Sequence, residues 1–279
     1  MNLEITKTDF ERAIPAAREP KGKIFDVMQD AIMCKVEVIA DSILGEPGIA
    51  AVEDSENTSY DYLRSAVKRL ACVSAFLEEM RGLDLVLTAT GFGVVSSNDT
   101  APASKMRVDA LDGELRRKER LLRSQLVRQL FKVRGWSNTA QRRANVETLF
   151  YHFDMLEQYA GINHPKPEDW DQNTPVMAAA DNILRKHISH AYMDELLAQA
   201  TSCSVTTPNM YIIILCQRYI GAWIAQNHQL KQEVYMRLIN RLEADLSLYS
   251  TYADSEAYRL NHFKPYENHA EDSAFHFVG

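Results

Sequence analysis

The sequence predicts a mainly α protein: two helical bundles, a short β-hairpin and an extended C-terminal tail. Three observations carry that expectation. Apolar residues recur at helical spacing over most of the 279 residues. One stretch, Leu83 to Ser96, alternates instead and is rich in glycine. The last residues, from Pro265 on, lose helical periodicity but keep aromatic side chains.

In chain order, Ile24, Met28, Ile32, Val36, Ile39 and Ile43 mark a helix over 23–44, with Gly45 and Pro47 as its stop. An acidic loop, residues 53–56, leads to a helix over 59–82, capped by Asn57 or Thr58 and ended by Gly82. Two strands are expected within 83–96, joined around Gly91 and Phe92, with Gly91 or Gly93 supplying the turn. Ser97 to Thr100 are good caps, and Pro102 suits a first helical turn. The next helix, 101–134, has the clearest stripe: Val108, Leu111, Leu115, Leu122, Leu126, Leu130 and Val133. A helix over 138–160 is expected to open with a capping box of Asn138 and Gln141. Gly161 to Pro175 holds three prolines and reads as a linker. Helices at 176–200, from Asn209 and through Val234, Leu238 and Leu242 complete the chain. The domain expectation is therefore an N-terminal bundle, 1–160, a linker, 161–175, a C-terminal bundle, 176–264, and a tail, 265–279.

Composition excludes some functions. The net charge of −7 is wrong for a general nucleic-acid binder. It hides a strong asymmetry, since Lys105 to Arg143 carries twelve basic and four acidic residues, +8, leaving −15 elsewhere. Arg116, Arg117, Arg120 and Arg123 form the centre of this basic face, which suits an acidic partner or DNA phosphates. The N-terminus lacks the pattern of a signal peptide. The apolar run 211–224 is too short and too interrupted to span a bilayer, so no membrane contact is expected. Cys34, Cys72, Cys203 and Cys216 form no CxxC pair and read as free, buried thiols of a reducing compartment.

Catalytic motifs fail on inspection. Gly91, Phe92 and Gly93 resemble a phosphate loop, but the lysine and the following βαβ unit are missing. His187, His190 and Asp194 share a helix face at metal-ligand spacing, with no fourth ligand. Ser65 and Lys68 match SxxK without its companion elements. No catalytic residue, cofactor or metal is expected. In the tail, Phe275 and Phe277 share one side of an extended segment, which suits addition to a partner's sheet edge.

Residues Leu85 to Asn98, Ala101 to Ser104 and Arg107 to Leu111 resemble an uncharacterised family found in phages and prophages of Bacteroidetes, whose genes sit among head–tail structural genes. Pro265 to Asn268 and the Phe275 to Phe277 ending are similar to that family's close. The resemblance implies a non-enzymatic virion protein, a head-to-tail connector or adaptor. It would form a ring with copies of itself, assemble in the host cytoplasm, contact portal and neck or tail proteins, and surround channel DNA. The alternative is a DNA-binding accessory protein acting through the basic helix 105–134.

Overall fold

The computed structural model describes residues 1, 3–17, 23–83, 85–88, 91–94 and 104–263, the strands by their backbone alone. The fold is mainly α. Helices α1 (Lys7–Ala13), α2 (Lys23–Ile39), α3 (Gly45–Glu53), α4 (Asp61–Glu79) and α5 (Lys105–Leu130) form the first half. Then come α6 (Ala140–Asn145), α7 (Met155–Ala160), α8 (Pro167–Ile188), α9 (His190–Thr201), α10 (Thr207–Ile224), α11 (His228–Ala244), α12 (Ser250–Ala253) and α13 (Glu256–Asn261).

In the first half, α4 is the hub and packs against α1, α2 and α5. It buries Val67, Leu70, Ala71 and Val73, and α2, which packs against it, buries Met28, Ile32 and Val36, the same residues whose spacing marks that helix. At its start, Thr6 and Asp9 cap α1 reciprocally, and Lys68 of α4 bonds Asp9 at 3.0 Å. In the second half α10 is the hub and packs against α7, α8 and α11. Its broadly apolar surface fits that position: most of its length, from Ile212 to Ile224, is buried, while Met210, Tyr211 and Arg218 stay exposed. One cluster of buried apolar side chains runs from Leu3 to Tyr252 through both halves.

Several expectations are corrected. The strands are β1 (Leu85–Thr88) and β2 (Gly91–Val94), antiparallel, with Leu85 opposite Val94 and Thr88 opposite Gly91. Residues 89 and 90 therefore join them, and Gly91, Phe92 and Gly93 belong to the second strand, not to the turn. The stretch read as a linker is mostly the start of α8: Pro167 sits in its first turn, where no N–H is needed, and Asp169 accepts the Lys166 N–H at 2.7 Å. Pro175 lies inside this helix. The expected helix 138–160 is two short helices. Thr139, not Asn138, caps α6 by accepting the Arg142 N–H. Cys34 and Cys203 are exposed, against the expectation of burial, while Cys72 and Cys216 are buried. Burial pushes the Cys72 thiol up to about 12, so it stays a neutral thiol. The tail at 265–279, with Phe275 and Phe277, lies outside the described residues.

Candidate interaction cleft

The site begins with a defect in a helix. Gly45 and Pro47 do not end the helical path. They convert residues Ala40–Leu44 into a π-helical turn, after which α3 begins at once. Gly45 has φ +61° and donates its N–H to the carbonyl of Ala40, five residues back. Pro47 has no N–H to give. The Ile43 carbonyl, four residues before it, therefore loses its α-helical partner, and the Ser42 carbonyl, five before it, its π-helical one. Side chains supply both: Trp136 Nε1 donates to Ile43 at 2.9 Å and Asn145 Nδ2 to Ser42 at 2.9 Å. Gln141 Nε2 donates to Asp41, whose α-helical partner Gly45 is engaged elsewhere, at 3.0 Å. The π turn and the segment 136–145 are thus latched by three side-chain bonds from residues about a hundred positions apart.

A cleft of about 360 Å³ opens beside this latch, between α2, the π turn, α4, α5 and the first turn of α8. Arg116, Arg120 and Arg123 line it from one face of α5, at spacings of four and three. Each is engaged. Arg116 Nε donates to Asp112 at 2.7 Å, and this hydrogen bond holds the Asp112 carboxyl below the usual carboxylate range. Arg120 donates to Asp171 of α8 at 2.9 Å and lies 5.4 Å over the Trp170 ring. Arg123 donates to Asn145 Oδ1 at 3.0 Å, which couples the cleft to the latch. Glu119, Glu168 and Asp171 also line the cleft, and Glu119 accepts from Ser74. Among the described residues the cleft is thus a balanced network tying α5 to α8 and α6, not an open bed of positive charge. Arg117 lies off this face and is half-buried.

Behind Trp170 runs the least regular part of the core. Residues 146–154 form no helix, yet Val146, Thr148, Leu149, Phe150, His152 and Phe153 are buried. A buried loop must find partners for its backbone. Ser124 Oγ accepts the Phe153 N–H at 3.2 Å, and Gln217 Nε2 donates to the Leu149 carbonyl at 3.2 Å. These two buried polar residues bring α5 and α10 to the loop. His152 Nδ1 accepts the Asp154 N–H at 3.2 Å, so the ring proton sits on Nε2, which has no hydrogen-bond partner.

Burial lowers the pKa of His152, with Arg128 adding to the effect and Asp154 opposing it. The unfolded chain then takes up this proton first as pH falls below about 6.5. Stability from the neutral ring is present above that pH and is lost on acidification. Melting curves at pH 7.5 and 5.5 should show a drop that His152→Gln reduces. An unchanged drop in the variant would place the acid sensitivity elsewhere.

The remaining candidates are separated by the fold. The helix expected at 176–200 breaks at Ser189, φ 142°, whose Oγ caps α9. His187 and His190 therefore lie on different helices. Asp194 receives Arg185 Nη1 at 2.5 Å, and the same guanidinium bonds buried Asp181 at 2.6 Å. Burial raises the Asp181 pKa. No cluster able to hold a metal is found among the described residues. Lys68 of the SxxK match is spent on Asp9. No helix among the described residues is long and apolar enough to cross a membrane. Sequence reasoning missed Trp170, Asp171 and Asn145. Trp170 and Asp171 lie in the stretch read as a linker, where no helical signal flagged them.

A family of unknown function (DUF6712) matches residues 37–146 of this chain, less than half of it. The matched span brackets both sides of the latch, the π turn at 40–44 and the donors at 136, 141 and 145. No curated protein and no solved structure matches the chain.

Proposed function

We propose that the chain is a structural subunit of a phage virion, a head-to-tail connector or adaptor. It assembles with copies of itself into a ring and meets portal and neck or tail proteins around the DNA channel. The observation that carries the self-assembly is the outer face of α2. Val27, Cys34 and Val38 lie on one side at spacings of seven and four, all exposed, with the half-buried Ala31 between the first two. Val27 is 70% exposed and Val38 52%, while the buried stripe of the same helix faces α4. A surface helix with one apolar stripe packed and a second one open to water has the form of a contact face. The resemblance of residues 85–98, 101–104 and 107–111 to an uncharacterised phage and prophage family set among head–tail genes supplies the setting. In that reading the hairpin within 83–96 and the tail with Phe275 and Phe277 reach adjacent proteins. The arginines of α5 act within the subunit, holding its two halves together.

Negative-stain images of the purified chain should show rings of uniform diameter, and antibodies to the chain should label particles at the head–tail junction. Labelling absent from purified particles would overturn the virion role.

A further inference from the structure

A second cleft, about 530 Å³, lies on the far side of α5 from the latch, where the end of that helix meets the α9–α10 loop. Its lining differs in kind from the first. Arg128 and Lys132 stand at i and i+4, both exposed. No carboxylate lines the cleft, and neither cation has an ion-pair partner among the described residues. Lys132 reaches only the neutral Gln129 side chain, at 3.2 Å. Beneath them the wall is apolar: Phe131, Tyr151, Val205 and Met210, the last exposed although it is large and hydrophobic. Phe131 and Tyr151 meet edge to face at 5.1 Å, which fixes a firm aromatic floor.

Two unpaired cations above an apolar floor select an occupant with acidic groups followed closely by apolar rings. The chain contains one such segment outside the described residues, Glu271, Asp272, Ser273, Ala274, Phe275, His276 and Phe277. In an extended seating Glu271, Phe275 and Phe277 fall on one side, because side chains alternate. We propose that residues 271–277 of one copy dock in this cleft of the neighbouring copy, with the Glu271 carboxylate on Arg128 and Lys132, Asp272 adding negative charge at the rim, and the phenylalanines against Phe131, Val205 and Met210. This rests on the ring-forming reading above and names the contact that links its subunits.

The test is charge exchange in the full-length chain, read by native mass spectrometry. R128E/K132E and E271K/D272K should each weaken association at least about a hundredfold, since like charges then face each other. Both altered cations are exposed, and an unchanged melting temperature at pH 7.5 confirms the fold. A one-to-one mixture of the two variants should assemble in alternation, because the acidic segment of one meets the basic cleft of the other, and the basic segment of the second meets the acidic cleft of the first. Combining all four changes in one chain should restore the wild-type assembly. Variants that assemble like wild type would overturn the docking and leave the ring reading standing. So would loss that neither the mixture nor the combination restores. Restoration in the combined chain without assembly in the mixture would place the segment in its own cleft and overturn the contact between copies. A wild-type chain that never associates would overturn both readings.

Discussion

Replacing Trp136 with alanine lowers the stability of the chain by about 4 kcal/mol, the usual cost of emptying a buried aromatic site. Trp136 is fully buried and packs 5.9 Å from the ring of Phe131. It also does what no other apolar side chain can do there, donating to the Ile43 carbonyl that Pro47 leaves without its α-helical partner. Trp136→Phe separates the two contributions. It keeps much of the volume and strands the carbonyl, which costs about 2 kcal/mol. Urea unfolding of both variants checks the order. If phenylalanine were as good as tryptophan, the latch would be packing alone, and the π turn would owe nothing to this bond.

Gly221→Ala is the second large effect, and its sign is the informative part. Alanine in the middle of a helix is normally better than glycine by up to about 1 kcal/mol. Here an added Cβ would lie 2.5 Å from the carbonyl oxygen of Tyr159 and 2.7 Å from its carbonyl carbon. Those are backbone atoms at the end of α7, and they cannot swing aside as a flexible side chain would. The α7–α10 contact must open, at a cost of about 3 kcal/mol. Gly113 is the control. It lies on the exposed side of α5, and a Cβ there would meet nothing within 4 Å. Gly113→Ala should therefore stabilise the chain by roughly 0.5–1 kcal/mol. Opposite shifts in the urea midpoint are expected. A stabilising Gly221→Ala would mean that α7 and α10 do not approach so closely.

The helices that pack in register with their own periodicity are legible in the sequence. Leu115, Leu122, Leu126, Leu130 and Val133 are all buried, as their stripe requires, and the broadly apolar α10 is buried over most of its length. Periodicity is silent where one segment's backbone depends on a distant side chain. The π turn needs Trp136, Gln141 and Asn145. The buried loop 146–154 needs Ser124 and Gln217, and without those partners in view its apolar residues pass for a helix. Prolines mislead in two ways. Pro47 re-routes a helix that continues, and Pro167 opens the helix that Pro175 then sits inside.

The basic face is legible as an excess of charge, but the pairing of its charges is not. Arg120 finds Asp171 and Trp170 some fifty residues away, in a stretch with no helical signature, and Arg116 finds Asp112 one turn back. Arg128 and Lys132, which have no ion pair among the described residues, look no different in sequence from the cations that are paired. Only the placement of α9 and α10 shows that their cleft has no acid in it.

If the chain works by associating with copies of itself, as proposed, native mass spectrometry of the full-length wild-type protein from nanomolar to micromolar concentration will show one closed oligomer of fixed subunit number growing in at the expense of the monomer. A monomer at every concentration would overturn self-association.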